Sequence, residues 1–244
     1  MKLINLIAVL LISIGLVTNT YGEDEKKKKW SDEAELSFVQ TDGNTNVTTF
    51  AFGNTLKYQF SEKLDALWTL RALYGETDGQ RNAENYRTEL RGNYLINQRI
   101  YSYGQIGWFK DVFAGFDQGY SGGAGVGYKF LEGPKHFLNG EAGLNYTKEE
   151  YVDGTEDDFP EARAFGKYEY AFNERNRFSQ ILEFLDDLTD SNKYKFLSET
   201  AVIAQLSNSL SLKVSYEIRY NSKPVSSDLE KSDTLLSAAI VANF

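Results

Sequence analysis

Two stretches decide the fold: Thr234-Leu235-Leu236-Ser237-Ala238-Ala239-Ile240-Val241-Ala242-Asn243-Phe244 and, before it, Leu210-Ser211-Leu212-Lys213-Val214-Ser215-Tyr216-Glu217-Ile218-Arg219-Tyr220. Side chains alternate across a strand. In the second stretch Leu210, Leu212, Val214, Tyr216, Ile218 and Tyr220 therefore share one face and Ser211, Lys213, Ser215, Glu217 and Arg219 the other. In the first, Thr234, Leu236, Ala238, Ile240, Ala242 and Phe244 line up in the same way. A strip that is apolar on one side, charged on the other and terminated by an aromatic reads as a strand of a barrel lying in lipid, with the last one closing it. Phe244 is then expected to serve as an assembly signal for the barrel-assembly machinery and as an interfacial anchor.

The same period runs through the rest of the chain. A first strand from Trp30 to Thr41 sets Ala34, Leu36 and Phe38 against Glu33, Glu35 and Ser37, and is followed by the hairpin turn Asp42-Gly43-Asn44-Thr45. The second presents Phe50, Phe52, Leu56, Tyr58 and Phe60 outward, and the third Leu64, Ala66, Trp68, Leu70, Ala72 and Tyr74. In the fourth, Tyr86, Thr88, Leu90, Gly92 and Tyr94 alternate with Asn85, Arg87, Glu89, Arg91 and Asn93. In the sixth, from Gly119 to Phe130, glycines repeat on one face, a sign of close approach or sharp curvature there. The remaining strands are expected near Ile100 to Phe109, Phe137 to Lys148, Ala162 to Phe172, Phe178 to Leu185 and Tyr194 to Leu206.

The total is about twelve strands, an all-β antiparallel up-and-down transmembrane barrel. Connections alternate between short ones, such as Ile96 to Ile100, and long ones, such as Lys110 to Gln118, Glu149 to Pro160 and Asn221 to Ser232. Short periplasmic turns, long outer loops and periplasmic termini follow from that asymmetry. The expected location is the bacterial outer membrane, with its lipid and lipopolysaccharide as surroundings.

Composition fits this architecture. Mean hydropathy is −0.45, and only the N-terminus carries a long apolar run, Leu6 to Val17. That run follows Lys2, precedes small and polar residues up to Gly22, and is shorter than the roughly 20 residues a spanning helix needs. It reads as a signal peptide over 1–22, followed by a charged periplasmic tail over 23–29 and a single barrel domain over 30–244. The chain has 3 Pro and 20 Gly, with 16 Tyr and 16 Phe available for interfacial girdles. A formal charge of −9 speaks against nucleic acid as a partner, and the absence of Cys removes disulfides, a thiolate nucleophile and Cys-ligated metals.

Trp30, the segment Ser37-Phe38-Val39-Gln40-Thr41-Asp42-Gly43-Asn44-Thr45 and the stretch Gly122-Gly123-Ala124-Gly125-Val126-Gly127-Tyr128 resemble a bacterial family of putative salt-induced outer-membrane proteins, a domain of unknown function. The resemblance covers nearly the whole mature chain. It implies an outer-membrane β-barrel and a link to salt or osmotic stress, and it carries no catalytic residues.

Nothing in the sequence points to catalysis. A general base of the serine-hydrolase type needs a well-placed His, and His136, the one His, falls in a predicted periplasmic turn. Two acidic clusters, Glu149, Glu150, Asp153, Glu156, Asp157 and Asp158, and Asp186, Asp187 and Asp190, carry oxygen donors suited to hard cations. They lack the EF-hand spacing and read as solvated outer loops. No cofactor or metal is expected.

The inward faces carry the functional expectation. Arg71, Arg87, Arg91, Arg163, Lys167, Lys213 and Arg219 share the lumen with Asp65, Glu89, Glu141, Glu169, Glu183, Glu199 and Glu217. The candidate network is Arg71, Arg87, Glu89, Arg91, Glu183, Glu199, Glu217 and Arg219, centred on Arg87, Glu89 and Arg91 facing Glu183, Glu199 and Glu217. Leu67, Leu73, Phe165, Leu197, Ile203 and Leu235 also point inward, which argues for a partly plugged interior. Two readings stay open: an envelope barrel with a charge-filled lumen, related to osmotic stress, or a narrow pore for ions or small solutes. A wide general porin needs 16 or more strands.

Overall fold

The computed structural model describes residues 29–41 and 47–244. The expected signal peptide, most of the charged tail and the Asp42-Gly43-Asn44-Thr45 turn lie outside the described residues. Twelve strands are present: β1 (Trp30–Thr41), β2 (Val47–Gln59), β3 (Leu64–Thr77), β4 (Gln80–Leu95), β5 (Ile100–Asp111), β6 (Phe116–Glu132), β7 (His136–Tyr151), β8 (Glu156–Ala171), β9 (Asn176–Asp187), β10 (Tyr194–Gln205), β11 (Leu210–Asn221) and β12 (Ser232–Asn243). Each pairs antiparallel with its neighbours in sequence, and β1 pairs with β12, so the sheet closes on itself. Among the described residues no helix is long and apolar enough to cross a membrane.

Closure answers the central problem of a chain in lipid. An unpaired N–H or C=O in hydrocarbon costs several kcal/mol, and a barrel has no free edge on which to leave one. The closing seam is the shortest. Glu33 to Leu36 pair with Asn243 to Ile240, and Asp32 exchanges both of its backbone hydrogen bonds with Phe244.

The outer surface is apolar as the alternation requires. Leu236 is 73% exposed and Ile106 63%, and Leu36, Leu90, Leu144, Val202, Val214 and Ile240 are exposed with them. In water such a belt would drive aggregation. At the end that holds the short turns, the one expected to be periplasmic, it is bordered by edge-to-face aromatic pairs, Tyr58 with Phe60, Tyr128 with Phe130 and Tyr170 with Phe172. His136 belongs to this border. It opens β7 with its ring 4.9 Å from that of Tyr170 and Nδ1 2.9 Å from Tyr168 Oη.

Several of the long connections are shorter than the sequence suggests, because the strands continue past their expected ends. β3 and β4 meet in the two-residue turn Asp78-Gly79, with φ of 50° and 78°, the backbone of a type I′ hairpin. The expected loop from Glu149 to Pro160 is mostly strand, leaving 152–155 as the connection. Register shifts between Phe109 and Asp111 and between Phe116 and Gln118 flank the β5–β6 connection. Phe116, expected in a loop, is instead buried against Phe109 at a centroid separation of 5.7 Å.

The facing assigned to β11 can be tested directly. Val214 is exposed on the outer face, whereas Ser215 Oγ lies 2.8 Å from Ser237 Oγ. Val214→Arg is expected to destabilise the barrel folded into lipid vesicles by about 2–4 kcal/mol, and Ser215→Arg by clearly less. Equal losses in urea titrations would show that the register is wrong.

Candidate functional site in the barrel lumen

The site begins with the glycine face of β6. A Cβ at Gly127 would stand 2.1 Å from Tyr101 Cζ, and one at Gly125 would stand 2.6 Å from Tyr103 Oη. The glycines therefore mark close approach, and the two β5 tyrosines lie across the bare backbone of β6, where their hydroxyls reach strand β7. Tyr101 donates to Glu141 Oε1 at 2.6 Å and accepts from Asn139 Nδ2 at 2.8 Å. Arg91 Nη1 and Nη2 donate to Glu141 Oε2 and Oε1 at 3.0 and 2.6 Å, a two-pronged pair. From β8, Arg163 Nη1 donates to the same carboxylate at 2.8 Å and to Tyr103 Oη at 2.9 Å, while its Nε reaches Glu183 at 2.6 Å. The Tyr103 ring also lies 4.1 Å from the Arg91 guanidinium carbon, within cation–π range.

Glu141 is thus a hub held by two guanidiniums and a phenol, with its side chain 3% exposed and that of Arg163 5%. Multiple charge-assisted donors are what make a buried carboxylate tolerable.

A second cluster crosses the lumen from the other side. Lys213 on β11 bridges Glu35 at 3.0 Å and Glu199 at 2.9 Å, and Glu199 faces Arg71 of β3 at 3.8 Å. Arg219 pairs with Glu217 beside it on β11 and stands 3.8 Å from Asp111 of β5 on the opposite wall. Opposed walls in ion-pair contact mean a narrow interior.

A third cluster fills the outer end. Glu149, expected in a solvated loop, is 1% exposed and binds Lys195 and, at 3.6 Å, Lys193. Lys193 also reaches Asp157 at 2.7 Å and lies 3.4 Å from the centroid of the buried Phe159 ring. Thr147 donates to Glu161 at 2.6 Å. Above it, Lys223 joins the β11–β12 loop to Asp190 at 2.7 Å, and that hydrogen bond holds the Asp190 carboxyl below the usual carboxylate range. Among the described residues no group of three or more His, Cys, Asp or Glu is placed to hold a metal.

All eight candidate residues point into the lumen, but their pairing differs from the expected pattern. Arg71 meets Glu199, Arg219 meets Glu217, and Glu183 meets Arg163. Arg91 meets Glu141 rather than Glu183, Glu199 or Glu217. Arg87 and Glu89, placed at the centre of the expected network, enter no ion pair among the described residues. Arg87 instead stands 5.9 Å from the Phe109 ring centroid. The two tyrosines had no signal of their own beyond their spacing opposite a glycine repeat. Lys193 precedes the strand expected from Tyr194, and Lys195 shares the inward face of Leu197 and Glu199 but has no feature that marks it as a partner of Glu149.

The ion pairs divide the lumen into chambers. A wide periplasmic mouth of about 620 Å³ is bordered by Lys135, Arg175, Arg177 and Gln205. A narrow space of about 70 Å³ lies beside Arg71, Glu199 and Lys213. A chamber of about 200 Å³ lies between Arg87, Glu89, Gln105 and Glu183. An outer vestibule of about 360 Å³ is bordered by Glu84, Asp111, Glu217 and Asp233. Such an interior has room for water and small molecules.

Removing the hub should be costly. Glu141→Ala leaves Arg91 and Arg163 without their shared carboxylate and is expected to destabilise the barrel by about 3–5 kcal/mol. Glu169→Ala breaks the Lys167–Glu169 pair, whose side chains are 35% and 31% exposed, and is expected to cost under about 1 kcal/mol. Equal losses in equilibrium unfolding would mean that the hub does not brace the barrel.

Comparison with known proteins agrees with this architecture. The chain is 26% identical over 208 residues to the uncharacterized protein YdiY of Escherichia coli (strain K12), covering 85% of this chain and 80% of the relative. It superimposes with a TM-score of 0.55 on the COG4313 outer membrane channel from Pseudomonas putida F1, at 10% identity over 91% of this chain and 100% of that one. With the NanC porin the TM-score is 0.53 at 7% identity, over 87% of this chain and 97% of that one. At these identities the likeness is one of fold: a closed outer-membrane β-barrel, in keeping with the lipid-facing belt. Residues 34–244 match the family model described as "Protein of unknown function, DUF481", and the chain belongs to that family.

Proposed function

We propose that this outer-membrane barrel is a narrow pore for ions and small hydrophilic solutes, braced and constricted by the ion pairs that cross its lumen. One observation carries the reading. Arg71 lies inside the barrel on the inward face of β3, opposite Gly53 and Arg87, yet its side chain is 46% exposed. A guanidinium at that depth is costly unless it is solvated, so water reaches it through the lumen. The chambers on either side supply the path, and the Glu141 hub narrows it. The channel and porin descriptions of the structural neighbours are compatible with this reading at the level of fold.

The second reading, a closed barrel that supports the envelope, draws on the contact between opposite walls at Arg219 and Asp111 and on the buried hub. Reconstitution separates the two. A pore gives small discrete conductance steps in a planar bilayer with wild-type protein, larger in Glu141→Ala if that variant folds. A plugged barrel is silent in the wild type. We also propose the link to salt stress that the sequence resemblance implies, and contact of the acidic outer rim with lipopolysaccharide. Protein levels that do not change between low and high sodium chloride would remove the first of these.

A further inference from the structure

The inward-facing ions of the strands are almost all accounted for by one another. Glu183 is held by Arg163 at 2.6 Å, and Glu161 by Thr147 at 2.6 Å and Lys195 at 3.9 Å. Arg219 is held by Glu217, and Asp111 by Asn85 and by the Ala114 N–H at 3.2 Å. Among the described residues of the spanning part, Arg87 and Glu89 are the exceptions. They are two residues apart on one strand, so both project from the same face, roughly 6.5 Å apart along the backbone. Both border the chamber of about 200 Å³. Asp233, a further inward carboxylate outside the ion pairs, stands where this chamber meets the outer vestibule.

Arg71 lies directly across the β3–β4 pair from Arg87, and like charges in that relation repel. Arg71 is partly compensated by Glu199. Arg87 has no carboxylate in ion-pair contact, and its guanidinium carbon lies 5.9 Å from the Phe109 ring centroid. A carboxylate arriving in the chamber would take the donors of Arg87 in a two-pronged pair and relieve that repulsion. An ammonium group on the same solute would find Glu89, which has no other cation in contact. At about 30 Å³ per water, the chamber takes several waters or one solute of amino-acid size.

We propose that the chamber bounded by Arg87 and Glu89 is a binding site for small zwitterionic solutes of the amino-acid class, with Arg87 receiving the carboxylate and Glu89 the ammonium. This deepens the pore reading by naming what the pore takes up, and it rests on that reading only for the solute's route in. A simple anion would meet Glu89 as a repulsive charge with no cation in ion-pair contact, and a simple cation would meet Arg87 in the same way. Only a solute carrying both signs satisfies both.

The test uses the full barrel folded in detergent micelles and three probes built on one skeleton at pH 7: L-alanine, propionate, which lacks the ammonium, and ethylamine, which lacks the carboxylate. Binding is followed by ligand-observed NMR. Alanine is expected to bind on the order of tenfold more tightly than either single-charge probe, since each charged hydrogen bond lost is a substantial part of so small a ligand's affinity. Arg87→Gln and Glu89→Gln should each weaken alanine by a similar factor. Arg87→Gln should also weaken propionate and leave ethylamine unchanged.

Equal affinity for the three probes, or no alanine binding, overturns the proposal. The wild-type comparison decides the matter alone if neither variant folds, as judged by heat-modifiable gel mobility. Conductance measured on the same preparation keeps the two readings apart. A silent barrel that binds alanine selectively refutes the pore and leaves the site standing. A conducting barrel indifferent to the three probes refutes the site and leaves the pore.

Discussion

The structure depends on one constraint: in hydrocarbon every backbone N–H and C=O must be paired within the protein. For strands, that demands closure, and closure demands that β1 find β12. Once the sheet is a cylinder, the two-residue period of the side chains does the rest. One set faces lipid and has to be apolar. The other faces an enclosed volume and is free of that demand, which is where the chain keeps its arginines, lysines and carboxylates.

A narrow closed cylinder then imposes a second condition. Charges gathered in a confined lumen must neutralise one another or be hydrated, because a buried ion without a partner is expensive. Both solutions occur here. Glu141 is surrounded by Arg91, Arg163 and Tyr101 and is almost inaccessible, whereas the Arg71 side chain is 46% exposed and has room for water around it. The hub exists because β6 offers backbone instead of side chains: the glycines let the Tyr101 and Tyr103 rings cross to β7 and β8. Glycines paired with aromatics across a strand are a recognised device in curved sheets, and here the device also delivers two hydroxyls to a carboxylate and a guanidinium.

The distribution of charge along the axis bears on the proposed pore. Carboxylates dominate the outer vestibule, where Glu84, Asp111, Glu217 and Asp233 stand with Arg219. Bases dominate the periplasmic mouth, where Lys135, Arg175 and Arg177 stand with Glu174. A confined path lined by one sign of charge focuses its field on passing ions. A pore with opposite signs at its ends is electrically asymmetric along its axis, whatever it carries.

The sequence by itself determined the cylinder: the strand number, the facing of β4, β11 and β12, the lipid belt and the inward set of charges. These depend on a local period that each strand carries without reference to its neighbours. It also marked β6 as unusual, though not what its glycines admit. Strand ends were less legible. Pro160 and the run of acids from Glu149 to Asp158 read as a loop because proline and like charges oppose strand pairing. In the barrel those acids find Lys193 and Lys195 from β10 and the loop before it, and the strands continue. Pairing across the lumen was not legible at all. Which inward Arg meets which inward Glu depends on strand stagger and on the width of the closed barrel, quantities that belong to the whole cylinder. That is why Arg91 could be known to face inward while its partnership with Glu141, and the isolation of Arg87 and Glu89, had to wait for the tertiary structure.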